Sequence, residues 1–519
     1  MLEKIQEYET ELWTVLCVLF FNIIAHGYRF VNLMFNGDSL LIYQTDQNWK
    51  YSIGRIFQPF YWKLRGDLVA PMLIATLAVF YFTAALVLIV RMFKLQNKLQ
   101  IALLCALLAV NITTTSTFAT DFHEGDTYML ALLCATVGVA LFRKAHPVLG
   151  GVFICLCLGF YQAYLQLAIG LLILLFMQDL LEGKDLSKVF LSGLKSIAML
   201  LGGSIAYTLI MRVLLHVKGI VLADHYNGLT NVGDYSTTSI PRLVVDTYLY
   251  VIKEWWNPQT FRSRFVGLAN MALLLAAAAT LLWILATKIK QNSTRLLLIV
   301  LFLLFPFGIN VVYFISKGME HTLMTFSFGL LYLLAVLFLQ ELPHNKAQKY
   351  LRYAAYAAMG LGIWCNVIYA NQSYLKVALE EKATDALMVR VVGRLEQTEG
   401  YVPGETPIAV VGLLPTSPLY KTMDGFEDVR GRTADAYTVS WENTYYLYME
   451  NVLNYPVKRS YLTKDDQAAV DAMPAFPADG CCAFIGDTLV SRLVQLSLQI
   501  YSNANFPPSS TALVRVSPS

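Results

Sequence analysis

Charge is what this sequence has least of. Asp, Glu, Lys and Arg supply only 14% of its 519 residues, where a soluble globular chain carries about 25%. Hydrophobic residues supply 56%, and the mean hydropathy is +0.52. That balance excludes a disordered chain, a coiled coil and a collagen-like repeat. Neither sign dominates: the formal net charge is +3, so a basic nucleic-acid binder is excluded and no nucleic-acid partner is expected. The signatures of nucleotide chemistry are missing too. There is no glycine-rich phosphate loop after a strand, no Walker sequence and no dinucleotide fingerprint. The eight cysteines fall in no metal-binding spacing. Cys155-x-Cys157 lies in an apolar run, and Cys481-Cys482 are neighbours, for which a mutual disulfide is strained, so packing is the expected role. The N-terminal stretch is mostly acidic, with Glu3, Glu7, Glu9 and Glu11, and has no small-residue cleavage site. It does not read as a signal peptide, and the first apolar run is expected to stay as an anchor.

What the sequence has instead is long apolar runs. A helix needs about 20 such residues to cross a bilayer, because unpaired backbone groups are costly in hydrocarbon. Candidates lie near 12–33, 69–91, 101–118, 127–142, 147–160, 164–181, 195–217, 265–287, 296–316, 322–341 and 352–371. The stretch 147–181 is interrupted only by Tyr161-Gln162-Ala163-Tyr164, and suits either two short helices or one long tilted helix. Residues 370–519 differ in character: they hold 29 of the 75 charged residues and are net −5, against +8 for residues 1–369. The expected fold is an α-helical polytopic membrane protein of about eleven transmembrane helices. Its membrane part is residues 1–371, with long outer loops at 34–68 and 218–264. A small mixed α/β extracytoplasmic domain, 372–519, follows, with strand-like runs at 408–411, 482–485 and 512–516 and a helical stretch at 441–453.

Loop charge sets the expected orientation. One set of short loops carries Arg91, Lys94, Lys98, Arg143, Lys144, Lys184, Lys188, Lys195, Lys288, Lys290, Arg295, Lys346, Lys349 and Arg352. The alternate set includes 119–126, with three acids and no cation, and 317–321, with Lys317 alone. This places the N-terminus in the cytoplasm and the tail outside, in a multi-pass membrane protein.

Costly polar groups therefore gather on one side. Loop 34–68 contains Asn36-Gly37-Asp38-Ser39, Asp46, Arg55 and Arg65, and loop 119–126 contains Asp121, His123, Glu124 and Asp126. Two carboxylate-bearing loops with arginines among them suit glycosyl transfer. One carboxylate accepts the proton of an attacking hydroxyl, another holds sugar or a divalent ion, and guanidinium groups grip a departing phosphate. Plainer readings stand beside this. Asp38 after Asn-Gly suits a turn, and Asp126 suits the cap of the following helix. Arg55 and Arg65 suit interfacial cations facing lipid head groups. Trp49, Tyr51, Phe57, Tyr61 and Trp62 suit an aromatic belt. Arg212, toward the outer end of an apolar span, needs a partner, a role or a snorkelling path. His321, at an outer loop, suits a satisfied surface histidine.

The run Ser52-Ile53-Gly54-Arg55-x-x-Gln58-Pro59, then Leu64-Arg65-Gly66-Asp67, resembles the first outer loop of the GtrII-type glucosyltransferases, serotype-converting enzymes of bacterial envelopes. The same holds for Asp126 running into Tyr128-Met129-Leu130, for Leu158-Gly159-Phe160-Tyr161-Gln162-Ala163-Tyr164, and for Asn310-x-x-Tyr313 followed by His321-Thr322-Leu323-Met324. The resemblance implies a GT-C-like enzyme that takes its sugar from a polyprenyl phosphate rather than a nucleotide. It also implies transfer, with inversion of the donor anomer, at the outer face of a bacterial plasma membrane. Carried over, Asp38 is the candidate base and Asp126 or Asp121 the second acid. Arg55, with Arg65 or Arg212, contacts the lipid phosphate, and His321, Tyr161 and Gln162 line the site. Magnesium or manganese is left open, because the first loop has no Asp-x-Asp and the second offers only Glu124-x-Asp126. The expected activity is transfer of a hexose, by the family glucose, from a polyprenyl-phosphate sugar to an envelope glycan such as an O-antigen polysaccharide. The alternative is a transporter or flippase for a lipid-linked sugar. That class favours charged or broken mid-membrane helices in repeated halves, and no such repeat is visible.

Overall fold

An apolar run in a lipid-like surround can satisfy its backbone only within itself, so it winds into a helix. The computed structural model describes residues 8–35, 38–40, 48–223, 235–236, 238–319, 321–343, 345–412, 429–430 and 442–493. The chain divides into two units: 1–32, 46–118 and 122–372 form the first, and 33–45, 119–121 and 373–519 the second. Among the described residues seven helices are long and apolar enough to cross a membrane, and three more apolar helices are shorter.

The helices in order are α1 (Glu9–Val31), the short α2 (Asn48–Ser52) and α3 (Gln58–Arg65), α4 (Pro71–Met92), α5 (Lys98–Ala109), α6 (Ile112–Thr120), α7 (Gly125–Arg143) and α8 (Pro147–Phe160). After them come α9 (Leu165–Leu181), α10 (Leu186–Lys218), α11 (Ile240–Trp256), α12 (Ser263–Thr287), α13 (Asn292–Gly308), α14 (Val311–Ile315), α15 (Leu330–Gln340) and α16 (Lys346–Glu396). Two apolar stretches are interrupted, one expected as a single span and one that suits either two helices or one. In 101–118 the chain breaks at Val110-Asn111, and Asn111 Oδ1 accepts from Thr113 N at 2.7 Å to start α6. In 147–181 the structure chooses two helices. Tyr161 is extended (φ −159°, ψ 109°), and a 3-10 turn at Gln162–Tyr164 leads into α9. The two long loops are not irregular throughout. The first holds α2 and α3, and the second holds α11, which buries Leu243, Thr247, Val251 and Trp255 on one helical face.

Close packing in the first unit rests on glycine. In lipid, helices gain little from hydrophobic burial against each other and associate where small residues let backbones approach. A Cβ on Gly150 of α8 would stand 2.8 Å from Gly138 O of α7 and 2.6 Å from Met199 Sδ of α10. A Cβ on Gly203 of α10 would meet Gly151 O of α8 at 2.6 Å. These contacts make α7, α8 and α10 one slab, and α4 packs against α7.

The second unit holds a four-stranded sheet of β1 (Pro407–Val411), β2 (Lys458–Arg459), β3 (Cys482–Ile485) and β4 (Thr488–Arg492), in the order β2-β1-β4-β3. β1 runs parallel to β2 and β4, and β3 is antiparallel to β4. On one face Ile408, Val410 and Leu489 pack with Leu387, Val391 and Leu395 of α16 and with the tyrosines of α17 (Glu442–Asn451). On the other, Ala409 and Val490 cover Val470 of α18 (Gln467–Ala472). The expected strands at 408–411 and 482–485 and the helix at 441–453 are present; the run 512–516 lies outside the described residues.

The glycine slab yields a stability prediction. Gly150→Leu forces a side chain into backbone, an overpacking that costs about 1–3 kcal/mol. Thermal unfolding in detergent should come at a lower temperature for this variant, whereas Gly202→Leu, which meets nothing within 4 Å, should unfold with the wild type.

Candidate functional site

The segment between α1 and α4 carries the candidate arginines, and its sequence decides which way they face. Helix α3 places Gln58, Tyr61, Trp62 and Arg65 at the i, i+3, i+4, i+7 positions of one face, and all four are buried. Phe60 and Leu64 on the opposite face are 65% and 73% exposed. The helix is thus inverted relative to a soluble one, polar face inward and apolar face outward, as a surround without water demands. Gly66, at φ +91°, closes it with its N–H on Lys63 O.

Ahead of α3, Ser52-Ile53-Gly54-Arg55 turns sharply. Gly54 has φ +76°. Tyr207 OH donates to Gly54 O at 2.8 Å, and Gln162 Nε2 donates to Ile53 O at 2.9 Å and to Tyr207 OH at 3.1 Å. Phe57 N donates to Gly159 O at 3.0 Å. The turn is therefore moored on the break between α8 and α9.

Facing it is the 3-10 turn Phe122–Glu124 and the first turn of α7. One oxygen of Glu124 accepts from Lys50 Nζ. The other accepts from Arg55 Nη1 and, at 3.2 Å, from Gln58 Nε2. Two residues on, Asp126 accepts from Arg65 Nη1 at 2.5 Å, Tyr61 OH at 2.9 Å and Thr127 N at 3.0 Å. Both carboxylates are buried. Arg55 also donates to Tyr128 OH at 3.0 Å and lies 4.9 Å from the centroid of the Tyr161 ring, which stacks on Tyr128. Burial, reinforced by the Asp126 charge, pushes the Tyr61 phenol far up, so it remains a donor. Arg65 Nε and Nη2, Trp62 Nε1, His123 Nδ1 and Gln58 Oε1 are buried without a hydrogen-bond partner among the described residues. Three of those five are N–H donors whatever their tautomer.

The structure thus gathers Arg55, Arg65, Asp126, Tyr161 and Gln162. It corrects several sequence expectations. Arg55 and Arg65 are paired inside rather than turned to head groups, and Tyr61 and Trp62 are buried rather than in a belt. Arg212 is exposed on α10 and pairs with neither described acid of the site. His321 Nδ1 accepts from Leu323 N at 3.3 Å, which caps the turn Thr322–Met324. Asp121 belongs to the second unit and accepts from Thr120 Oγ1 at 2.7 Å. Asp38 opens a 3-10 turn, Asp38–Leu40, in that unit, and its side chain lies outside the described residues. A divalent ion does not fit between Glu124 and Asp126, whose oxygens are committed to Lys50, Arg55 and Arg65. Among the described residues no three His, Cys, Asp or Glu gather to hold one. The sequence singled out Glu124 only with Asp126 as a possible metal pair, and Lys50 not at all. The available signal was the polar face of α3, which requires counter-charges in its partner.

These features describe a helical protein suited to a membrane, with a buried cluster of ion pairs in its apolar unit. The family model for glucosyl transferase GtrII matches residues 27–342. That match covers more than half of the chain and includes every residue of the cluster. The chain belongs to this family and is a glycosyltransferase. No curated protein and no solved structure matches it.

Gly54 gives a direct test of the mooring. A Cβ there would stand 2.6 Å from both Gln162 Nε2 and Tyr207 OH, and the left-handed backbone adds about 1–2 kcal/mol for an L side chain. Gly54→Ala should lower both the thermal transition and transferase activity. Tyr207→Phe, which removes the hydrogen bonds to Gly54 O and from Gln162 Nε2, each worth about 0.5–1.5 kcal/mol, but introduces no clash, should have the smaller effect on each.

Proposed function

We propose that this glycosyltransferase moves a hexose, glucose by family, from a polyprenyl-phosphate sugar to an envelope glycan at the outer face of the plasma membrane. The observation that carries the donor assignment is the set of buried N–H groups on Arg65 and Trp62 that lack an acceptor among the described residues. Unpartnered buried donors are costly, and beside Lys50 and Arg55 they suit an oxyanion. A phosphate attached to a lipid brings its charge to membrane depth; a nucleotide donor has no recognisable motif in the sequence.

In this reading the acceptor hydroxyl attacks the anomeric carbon and forms the new glycosidic C–O bond. The bond from that carbon to the phosphate oxygen breaks, and polyprenyl phosphate leaves with the electron pair. Arg55 and Arg65 stabilise the charge that develops on the departing phosphate. The hydroxyl proton passes to a carboxylate that is not already holding cations. Glu124 and Asp126 are so committed; the family resemblance gives the base to Asp38, with Asp121 as the second acid. Attack opposite the leaving group inverts the anomer. The topology that goes with this mechanism has eleven spans, the N-terminus inside and the tail outside.

Purified protein in lipid vesicles, supplied with polyprenyl-phosphoglucose and acceptor polysaccharide, should transfer labelled glucose, and should not do so from UDP-glucose. Asp38→Asn should lower turnover by about 10²–10⁴-fold; undiminished turnover removes Asp38 as the base. No transfer from any lipid-linked sugar, together with movement of that lipid across the vesicle membrane, would favour the transporter.

A further inference from the structure

Two carboxylates one residue apart hold cations in this site, and they are not used alike. Asp126 is bound to its own helix through Thr127 N, to Arg65 and to Tyr61. It fastens α3 to α7. Among the described residues Glu124 makes no side-chain bond to its own backbone, though His123 Nε2 of the same turn lies 3.5 Å from its Oε1. It takes two cations from different elements, Lys50 of α2 and Arg55 of the turn beyond it, one on each oxygen. Gln58 of α3 donates to the second oxygen, and the same Gln58 nitrogen reaches Thr127 Oγ1 at 3.3 Å and Phe160 O at 3.1 Å. Thr127 Oγ1 in turn donates to Glu124 O at 2.7 Å. One carboxylate shared by two cations is a poor way to gain stability, since the cations repel and the buried group must be desolvated. It is a good way to keep two positive charges at a fixed separation.

The two cations depend on Glu124 unequally. Arg55 is held besides by Tyr128 OH and by the face of Tyr161. Lys50 has Glu124 as its ion-pair partner and otherwise lies 5.5 Å from the centroid of the Trp62 ring. A lysine ammonium on four rotatable bonds keeps a defined position only where an acceptor fixes it.

Building on the donor assignment above, we propose that Glu124 is a positioning residue that sets the Lys50 ammonium, beside Arg55, to bind the phosphate of the lipid-linked donor. Glu124 is not the base, because each of its oxygens already faces a cation. Its contribution is made before the reaction, by aligning the charges that the donor phosphate meets.

The test measures donor and acceptor kinetics separately for the full-length protein in vesicles. Glu124→Gln should raise the KM for polyprenyl-phosphoglucose by about tenfold or more, with kcat and the acceptor KM within about threefold of wild type. Lys50→Met should do the same, and the double variant should be no worse than the single variants, because both remove one interaction. Glu124→Asp should recover part of the donor affinity. Titration with sugar-free polyprenyl monophosphate, read by the Trp62 emission identified by difference against Trp62→Phe, should show the same weakening without turnover. An unchanged donor KM in Glu124→Gln overturns the proposal, as does a fall in kcat alone, which would make Glu124 catalytic. If Glu124→Gln does not fold, Gln58→Met decides: it keeps volume and charge while loosening the carboxylate, and a donor KM equal to wild type overturns the proposal. If the wild type neither binds polyprenyl monophosphate nor transfers from its glucoside, the donor assignment fails instead, and Glu124 loses its ligand.

Discussion

A charge placed where water is scarce must meet an opposite charge, and the turn at 122–126 supplies both that this site uses. Glu124 and Asp126 lie in the first turn of α7 and the 3-10 turn before it, and between them they hold Lys50, Arg55 and Arg65. The whole preceding loop is shaped to deliver those cations. Helix α3 turns its polar face inward to bring Arg65 to Asp126. The left-handed turn at Gly54 reverses the chain so that Arg55 reaches Glu124. The break between α8 and α9 frees Tyr161 to lie under Arg55 and Gln162 to hold Ile53 O.

Stability alone does not account for such an arrangement. Buried ion pairs often contribute less than well-packed apolar groups of the same size, because desolvation offsets much of the attraction. The first unit has stability from another source, the close approach of α7, α8 and α10 through Gly138, Gly150 and Gly203. That slab provides the rigid frame in which α7 presents its two carboxylates and α8 ends at Tyr161. Rigidity and charge are thus contributed by different residues of the same helices.

Much of the fold could be read from hydropathy, because a lipid-like surround leaves an apolar run no conformation but helix. The interruptions were harder to place. Tyr161-Gln162-Ala163-Tyr164 was visible as a polar step, but whether it bends or breaks depends on what the freed backbone can bond, here Phe57 N on Gly159 O. Asn111 breaks a run with one polar residue and then repairs it by capping α6. In the site, Arg55, Arg65 and Asp126 were legible as expensive residues on loops between apolar runs. Their pairing was not, since the partner of a buried cation is a tertiary fact. Lys50 read as one more loop lysine, and Glu124 as one acid among three; only the inward polar face of α3 indicated that these neighbours were needed.

The second unit bears on the same chemistry through the chain segment that carries the proposed base. Phe35 and Leu40 flank Asp38, and both are buried in the core formed by Leu387, Val391 and Leu395 of α16 and the tyrosines of α17. Asn451, at the end of α17, donates to Leu40 O at 2.7 Å. The 3-10 turn that begins at Asp38 is therefore fixed by residues more than 340 positions later in the chain. The backbone that carries the proposed base is thus set by the core of the sheet-bearing unit.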